Sequence, residues 1–424
     1  MTELEDNLSS RLQRPTTDNG SAWPAYWQFM GQDWRTEPEI DKKRQEYLEQ
    51  CSSIVPDIKQ SIYPFKGIKL SRADVEWLLA TYEGGRGPVD WSDKEQRERR
   101  GLDLRGADLR QVDLRKLPLA KMRGGLIEEE FKIVTVERFG IARVHLERAY
   151  LYGAHLEGAI LPGVHMDQAN LREAYLEGAN LERVHLERAI LMGARLAGAN
   201  LRNAYFNTVT NLEHVMLGDM LSGFVSLADV HWDGVNLAVV DWKQMQILGD
   251  ELEARLRKTN DAEIKDKTRR LDEYERAIRA NRQLAIVLQS QGLSDVAAHF
   301  IYRAQILQRW VLWQHKNIGQ YLFSLLLDLL AGYGFKPIRS IFSYLIIIFG
   351  FMGLYLLNAH FVAPQLSWDE ALVLSVSSFH GRGFFTQNIT LGDTYARLAA
   401  AEAVVGLFIE ISFIATFSQR FLGK

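Results

Sequence analysis

Residues 144–206 read VHLERAYLYGAHLEGAILPGVHMDQANLREAYLEGANLERVHLERAILMGARLAGANLRNAYF, and one interval runs through them. Leu146, Leu151, Leu156, Leu161, Met166, Leu171, Leu176, Leu181, Leu186, Leu191, Leu196, Leu201 and Phe206 stand five apart. Two residues before each of these thirteen centres stands only Ala or Val, from Val144 to Ala204. A helix of 3.6 residues per turn would smear a period of five around its whole surface. The pattern therefore demands a structure in which five residues make one side.

The interval extends in both directions. Leu104, Leu109, Leu114 and Leu119 precede the stretch, and an insertion around Lys121–Ile141 interrupts it. After Phe206 the register slips by one residue and continues through Leu212, Leu217, Leu227, Trp232, Leu237 and Trp242, with Ser222 a degenerate member, for about 24 repeats. The pattern resembles the pentapeptide repeat family, Ala-(Asp/Asn)-Leu-x-x. That resemblance implies a right-handed quadrilateral β-helix over residues 101–244, four repeats to a coil, with the centre and the preceding Ala inside. Asp103, Asp108 and Asp113 then fit the outward, turn-capping position. Stacked coils expose backbone at each end, so the region 21–100 and the segment after Trp242 are expected to act as caps.

Four-sided geometry stacks positions 20 apart, which puts His145, His165 and His185 in a ladder with a spacing of about 4.8 Å. His155 falls on a different side. The bland reading is an exposed polar stack beside Glu147, Arg148, Asp167, Glu187 and Arg188. The sharper one is a proton sensor or transition-metal site, because crowded imidazoles have depressed pKa values and bind metals when neutral.

The last 85 residues change character. Ile341–Ala363 contains no Asp, Glu, Lys or Arg, and Leu398–Phe417 is a second apolar run broken only by Glu402 and Glu410. Each is long enough to cross a bilayer as a helix, at roughly 1.5 Å per residue against a core of ~30 Å. Between them Ser367-Trp368-Asp369-Glu370 reads as a capping box, Ala371–Ser378 continues a short apolar helix, and Phe379-His380-Gly381-Arg382-Gly383 follows. The segment Tyr344–Arg420 resembles the two-transmembrane pore module of the potassium channel superfamily, whose members are tetramers. The resemblance implies a filter at Phe379, His380, Gly381, Arg382 and Gly383, a hinge glycine at Gly406, and a cavity carboxylate at Glu410. Glu402 is either a buried partner for Arg382 or a carboxylate that holds the second helix against the pore helix. The filter departs from the family's Thr-Val-Gly-Tyr-Gly, with Arg382 in place of tyrosine and Phe384 after Gly383, which leaves the choice among monovalent cations open.

The fold class expected is thus mixed: a cytosolic β-helix with a helical cap and hairpin, and an α-helical two-span pore domain at 340–424. Residues 1–20 are polar and expected to be disordered. Helices are expected around Glu39–Gln50 and after the capping box Ser71–Asp74. Residues 245–317 read as a helical hairpin linker, with Gly292 breaking one helix and Ser294 starting the next. Ile318–Ala331 is too short to span and reads, over 318–339, as an interfacial helix and turn that is similar to the slide helix of inward rectifiers. Gly332-Tyr333-Gly334 has the potassium filter's tripeptide but precedes both spans and is read as a helix-ending turn. Lys336 and Arg339 before the first span, with Arg420 and Lys424 after the second, place both termini in the cytoplasm of a plasma (inner) membrane protein.

A net charge of −3 gives no electrostatic case for nucleic acid, and the single Cys51 rules out an intrachain disulfide. No phosphate loop, Gly-x-Gly-x-x-Gly, His-Glu-x-x-His, Cys-x-x-Cys or Gly-x-Ser-x-Gly motif occurs, so no enzyme, cofactor or metal is expected beyond a permeant monovalent cation. The expected function is a homotetrameric cation channel in a lipid bilayer, gated through the cytosolic repeats. The alternatives are a non-conducting membrane scaffold whose β-helix binds a partner and, last, a DNA mimic.

Overall fold

Parallel bridges join His145 to His165, Tyr150 to Asn170, His155 to Tyr175 and Ile160 to Asn180, so four columns of positions 20 apart make four sides. Each centre donates its N–H to the coil above, as Leu146 does to the His165 carbonyl at 3.1 Å. Each corner is a turn closed by an N–H three residues past the centre, as from Ala154 to the Leu151 carbonyl at 3.0 Å. The residue two past the centre has positive φ, as the second type of β-turn requires. Gly153 and Gly163 adopt it freely, whereas Arg148, Glu173 and Arg183 hold it at a cost of about 1 kcal/mol or more each. What offsets that cost is the interior: the centres Leu146–Phe206 and the small residues before them are 0–1% exposed.

This computed structural model describes residues 14–219, 223–259, 262–359, 366–382 and 393–421. The chain divides into two units, Met1–Leu293 and Ser294–Lys424. In the first, α1 (Trp23–Phe29), α2 (Lys42–Ser52) and α3 (Arg72–Gly85) precede the repeats. Ser71 and Asp74 close the expected capping box on α3, and regular helical backbone is left at Tyr82. Lys69 forms a bridge to Asp108, so the N-terminal region contributes a rung of its own. Residues 14–20 of the expected tail are described and include a turn; the rest of that tail, 1–13, lies outside the described residues.

Two details of the repeat differ from the expectation. The insertion is narrower than 121–141 at its start, because Arg123 still bridges Asp103 and Gly124 still bonds Ile160. It carries the short helices α4 (Glu128–Phe131) and α5 (Val136–Ala142). The second lies between Leu217 and Leu227, on either side of the degenerate member Ser222. Arg195 bridges Met216, 21 residues on, as the one-residue slip requires, but Asn200 bridges Ser226, 26 on. Where the additional five residues fall, β1 (Gly218–Asp219) pairs antiparallel with β2 (Gly223–Phe224), and Ser222 itself lies outside the described residues.

The C-terminal end of the β-helix is closed by side chains that replace the absent next coil. The Leu227 N–H donates to Asp250 Oδ2 at 2.6 Å from α6 (Gly249–Arg255). The N–H groups of Asp229 and Leu237 donate at 3.0 and 2.8 Å to Oε1 of Gln283, on α7 (Lys267–Ser290), and of Gln291, the C-cap of that helix. Both helices belong to the first unit, so the boundary at Leu293 falls within the span expected to be a hairpin linker.

The second unit is helical among its described residues: α8 (Ser294–Gln314), α9 (Ile318–Ala331), α10 (Pro337–Ala359), α11 (Trp368–Phe379) and α12 (Thr394–Phe421). Gly332–Gly334 is a helix-ending turn with Gly332 left-handed, as read. Asp328, in an apolar helix, bonds Tyr302 at 3.0 Å and Arg309 at 2.7 Å on α8 and Arg339 at 3.1 Å on α10. It ties three helices together.

Candidate functional site: the junction of α10, α11 and α12

α10, α11 and α12 pack against one another, with Tyr355, Ala371, Leu374 and Tyr395 in one buried cluster and Ile348, Phe379 and Ile409 in another. Glu402, Gly406 and Glu410 follow at four-residue spacing on α12, which aligns them along one face. Their surroundings differ. Glu402 is 0% exposed, and its carboxylate accepts hydrogen bonds from Ser375 of α11 and, at 2.8 Å, from Tyr355 of α10. It is a strut between three helices, the second of the two readings of Glu402, with Ser375 and Tyr355 in the place of Arg382 as its partners; grouping it with Gly406 and Glu410 as a pore-lining or gating residue is not what this packing gives it. Satisfying both oxygens with hydroxyls is what makes the burial tolerable.

Gly406 lies under the end of α11. A Cβ there would stand 2.1 Å from the Phe379 carbonyl oxygen, so the glycine is required by the close approach of two backbones. Glu410 is partly exposed and bonds His380 Nδ1, while His380 Nε2 lies 3.2 Å from the Tyr344 hydroxyl on α10. Phe379, His380, Gly381, Ala403, Val404, Leu407 and Glu410 line a recess of about 310 Å³.

The expected filter takes a different form where it is described. Phe379 ends α11, and Gly381 follows at φ 67°. The Gly381 N–H bonds the Ser378 carbonyl and the Arg382 N–H the Ser377 carbonyl, both at 2.9 Å. This is a Schellman cap, in which a left-handed glycine closes a helix. The carbonyls of Ser377 and Ser378 are committed to the cap, and that of Phe379 faces Gly406. Arg382 is exposed, and Gly383 and Phe384 lie outside the described residues.

On the β-helix, the histidine column continues beyond His185 to Tyr205 and His231. The rings of His165, His185, Tyr205 and His231 stack at 4.3–4.5 Å. The first three imidazoles of the column are each held by a carboxylate two residues on, His145 by Glu147 at 3.0 Å, His165 by Asp167 at 3.3 Å and His185 by Glu187 at 3.4 Å. Stacked rings point their nitrogens in parallel, and among the described residues no group of three or more His, Cys, Asp or Glu is placed to hold a metal ion. The metal reading of the ladder is thereby lost. Burial, with His185 and Arg143 nearby, pushes His165 down, whereas the bond to Glu157 at 2.9 Å pushes His155 up. A raised value stabilises the fold below the ordinary histidine pKa near 6.5, and the gain vanishes as pH rises through the folded value. The unfolding midpoints of wild type and His155→Asn are therefore expected to differ most near pH ~5.5 and converge above pH ~8. For His165→Asn the sign is reversed, with its lowered value adding stability above the ordinary pKa and losing it as pH falls. A pH-independent difference for His155 would remove the ionic contact.

Sequence reasoning missed Tyr344, Tyr355 and Ser375. The available signal was a hydroxyl inside an otherwise apolar helix.

Residues 149–188 and 169–207 match the pentapeptide repeats family, with 8 copies. Solved structures similar to the chain include a pentapeptide repeat protein, Rfr23, from the cyanobacterium Cyanothece 51142, at 27% identity over 31% of this chain and 91% of that one, with a TM-score of 0.16. Another is alr5209 from Nostoc PCC 7120, at 24% identity over 31% and 84%, TM-score 0.19. A third is HetL from Nostoc sp. strain PCC 7120, a protein involved in heterocyst differentiation regulation, at 24% identity over 31% and 66%, TM-score 0.15. No curated protein matches the sequence. The assignment of the repeats rests on the family match and the ladder.

Proposed function

We propose that this chain, which carries pentapeptide repeats, is a tetrameric channel for monovalent cations, with the repeats as its cytosolic arm and α10, α11 and α12 as its pore. The observation that carries the reading is that these three helices share a buried carboxylate strut yet turn apolar side chains outward. Phe342, Ile346 and Phe349 of α10 and Val404, Leu407, Phe408 and Ile411 of α12 are each more than half exposed. Water disfavours such a surface; a bilayer and neighbouring copies of the chain would cover it. Ile338–Ala359 is long and apolar enough to cross a bilayer. Four copies of Glu410 around an axis would concentrate cations. Both termini would be cytoplasmic, in the plasma membrane.

A second reading, a non-conducting membrane scaffold whose β-helix binds a protein, is favoured by the Schellman cap, which makes a helix end of the backbone where the expected filter begins. Ion flux into liposomes containing the purified protein, under K⁺, Na⁺ and Cl⁻ gradients in parallel, separates the two. The expected result is cation flux without Cl⁻ flux, reduced in Glu410→Gln, with an altered K⁺/Na⁺ ratio in Arg382→Tyr. Absence of cation flux in the wild type and in Glu410→Gln alike turns the assignment to the scaffold.

A further inference from the structure

The side of the β-helix that carries His155 and Tyr175 has a loop seated on it, and the groups around the seat titrate. We propose that residues 84–98 are a proton-operated clasp, held on this side while His155 is protonated and released as His155 gives up its proton. The clasp lies within the first unit and does not depend on the channel proposed above.

The ends of the loop are tied together. Arg99 Nε pairs with Glu83 at 2.9 Å, and Arg99 Nη2 donates to the Gly87 carbonyl at 2.8 Å. A loop closed in this way packs through its own side chains, so it can lift without opening the fold that carries it. Inside it the Arg97 guanidinium lies 4.9 Å from the centre of the Trp91 ring, and Arg97 Nε donates to the Trp91 carbonyl at 2.7 Å. Trp91 reaches past the first coil to two corners of the next rungs. A Cβ on Gly158 would stand 2.7 Å from Trp91 Cζ3, and one on Gly178, a rung further on, 3.8 Å from Cζ2. Two stacked glycine corners thus make the seat for the indole.

Around that seat, His155 stacks on Tyr175 at 4.4 Å and holds Glu157 through Nδ1. Glu157 is 5% exposed, and Glu177 occupies the same position on the next rung, about 4.8 Å along the stack. Neither Glu157 Oε2 nor Glu177 Oε2, both buried, has a hydrogen-bond donor among the described residues. The other charges that face this group are Arg195, 4.7 Å from the Tyr175 ring centre, Lys121, whose Cδ lies at the Gly158 corner, and Asp90, beside Trp91 on the loop itself. Protonated His155 offsets the two stacked carboxylates and attracts Asp90. Its neutral form does neither, so the rung loses its balance of charge and the loop its electrostatic hold as pH rises through the folded value of His155. Burial, with Glu157 below it, pushes Glu177 up, so proton loss there acts in the same direction. Bonds from the Ser92 hydroxyl and N–H hold Asp90 down and keep it ionised throughout.

Hydroxyl-radical footprinting of the full-length protein in detergent tests the clasp, with the oxidation of Trp91 read by peptide mass and the buried Trp27 as reference. Wild-type Trp91 is expected to oxidise at least about threefold faster at pH ~8 than at pH ~5.5, and equally at both in His155→Gln. Asp90→Asn changes an exposed loop residue and leaves the β-helix untouched; it is expected to lose most of the pH dependence. Equal wild-type rates at the two pH values overturn the proposal. So does a pH dependence that persists undiminished in His155→Gln or in Asp90→Asn. The readout requires no conduction, so a silent pore leaves the clasp standing and a fixed loop leaves the channel reading as it was.

Discussion

Replacing Asp250 by Ala is expected to open the last coil of the β-helix while leaving its middle intact. Asp250 is 1% exposed and does two things at once. Its Oδ2 accepts the Leu227 N–H at 2.6 Å, in the place where a further coil would offer a carbonyl, and its Oδ1 accepts from Arg202 Nε at 2.7 Å. Arg202 is also held by Glu253. Alanine leaves a backbone donor without its acceptor and a largely buried guanidinium with half its partners. Breaking a buried pair costs about 3–5 kcal/mol, and the remaining bond to Glu253 puts this case near the lower figure. At about 1.4 kcal/mol per tenfold, amide exchange around Leu227 should quicken about a hundredfold. Peptides covering Leu171–Leu181 should exchange as in the wild type. Asp250→Asn keeps an oxygen for the Leu227 N–H and is expected to fall between the two. Unchanged exchange at Leu227 in the alanine variant would mean that the coil end is held by Gln283 and Gln291 alone.

The contrast between coil interior and coil end also explains what the sequence can disclose. The inside of a coil admits only a small and a large residue at a fixed interval, so Ala169–Leu171 or Ala189–Leu191 declare the fold by themselves. Caps carry no such rule. Gln283 lies on a polar helix and Gln291 caps its end, and nothing local distinguishes them from solvated glutamines. The pairing of Gly218–Asp219 with Gly223–Phe224 hides for a different reason: the chain there gains five residues, the length of one side, so Leu217 and Leu227 remain in phase and the partners of Asn200 and Tyr205, each 26 residues on, reveal it.

The pore-like end is harder because one residue type answers two structural needs. Gly381 adopts a positive φ, which serves a helix cap as well as it serves a filter, and the hydrogen bond from the Arg382 N–H to Ser377 decides for the cap. Glu402 announces itself as a carboxylate within an apolar run, but its partners Ser375 and Tyr355 are 27 and 47 residues away. No spacing rule connects them.

Gly406→Ala gives the second large effect, and its sign is informative. In an ordinary helix interior the change stabilises by about 1 kcal/mol, since alanine loses less backbone entropy than glycine. A glycine conserving only the freedom to bend would follow that rule, with the packed state as stable as before or more so. Here the new methyl would meet the Phe379 carbonyl oxygen at 2.1 Å and its carbon at 2.9 Å, both backbone atoms. Neither can rotate away, because Phe379 is 1% exposed, packed with Ile348 and Ile409, and followed at once by the Gly381 cap. Relief requires α11 and α12 to separate, which strains the Glu402 bond to Ser375 and draws His380 away from Glu410. Overpacking of this kind costs about 1–3 kcal/mol. The thermal midpoint of the Ser294–Lys424 unit in detergent should therefore fall in Gly406→Ala, and His380 should react faster with diethyl pyrocarbonate. A midpoint that rises would restore the hinge, since flexibility would then be all that the glycine supplies.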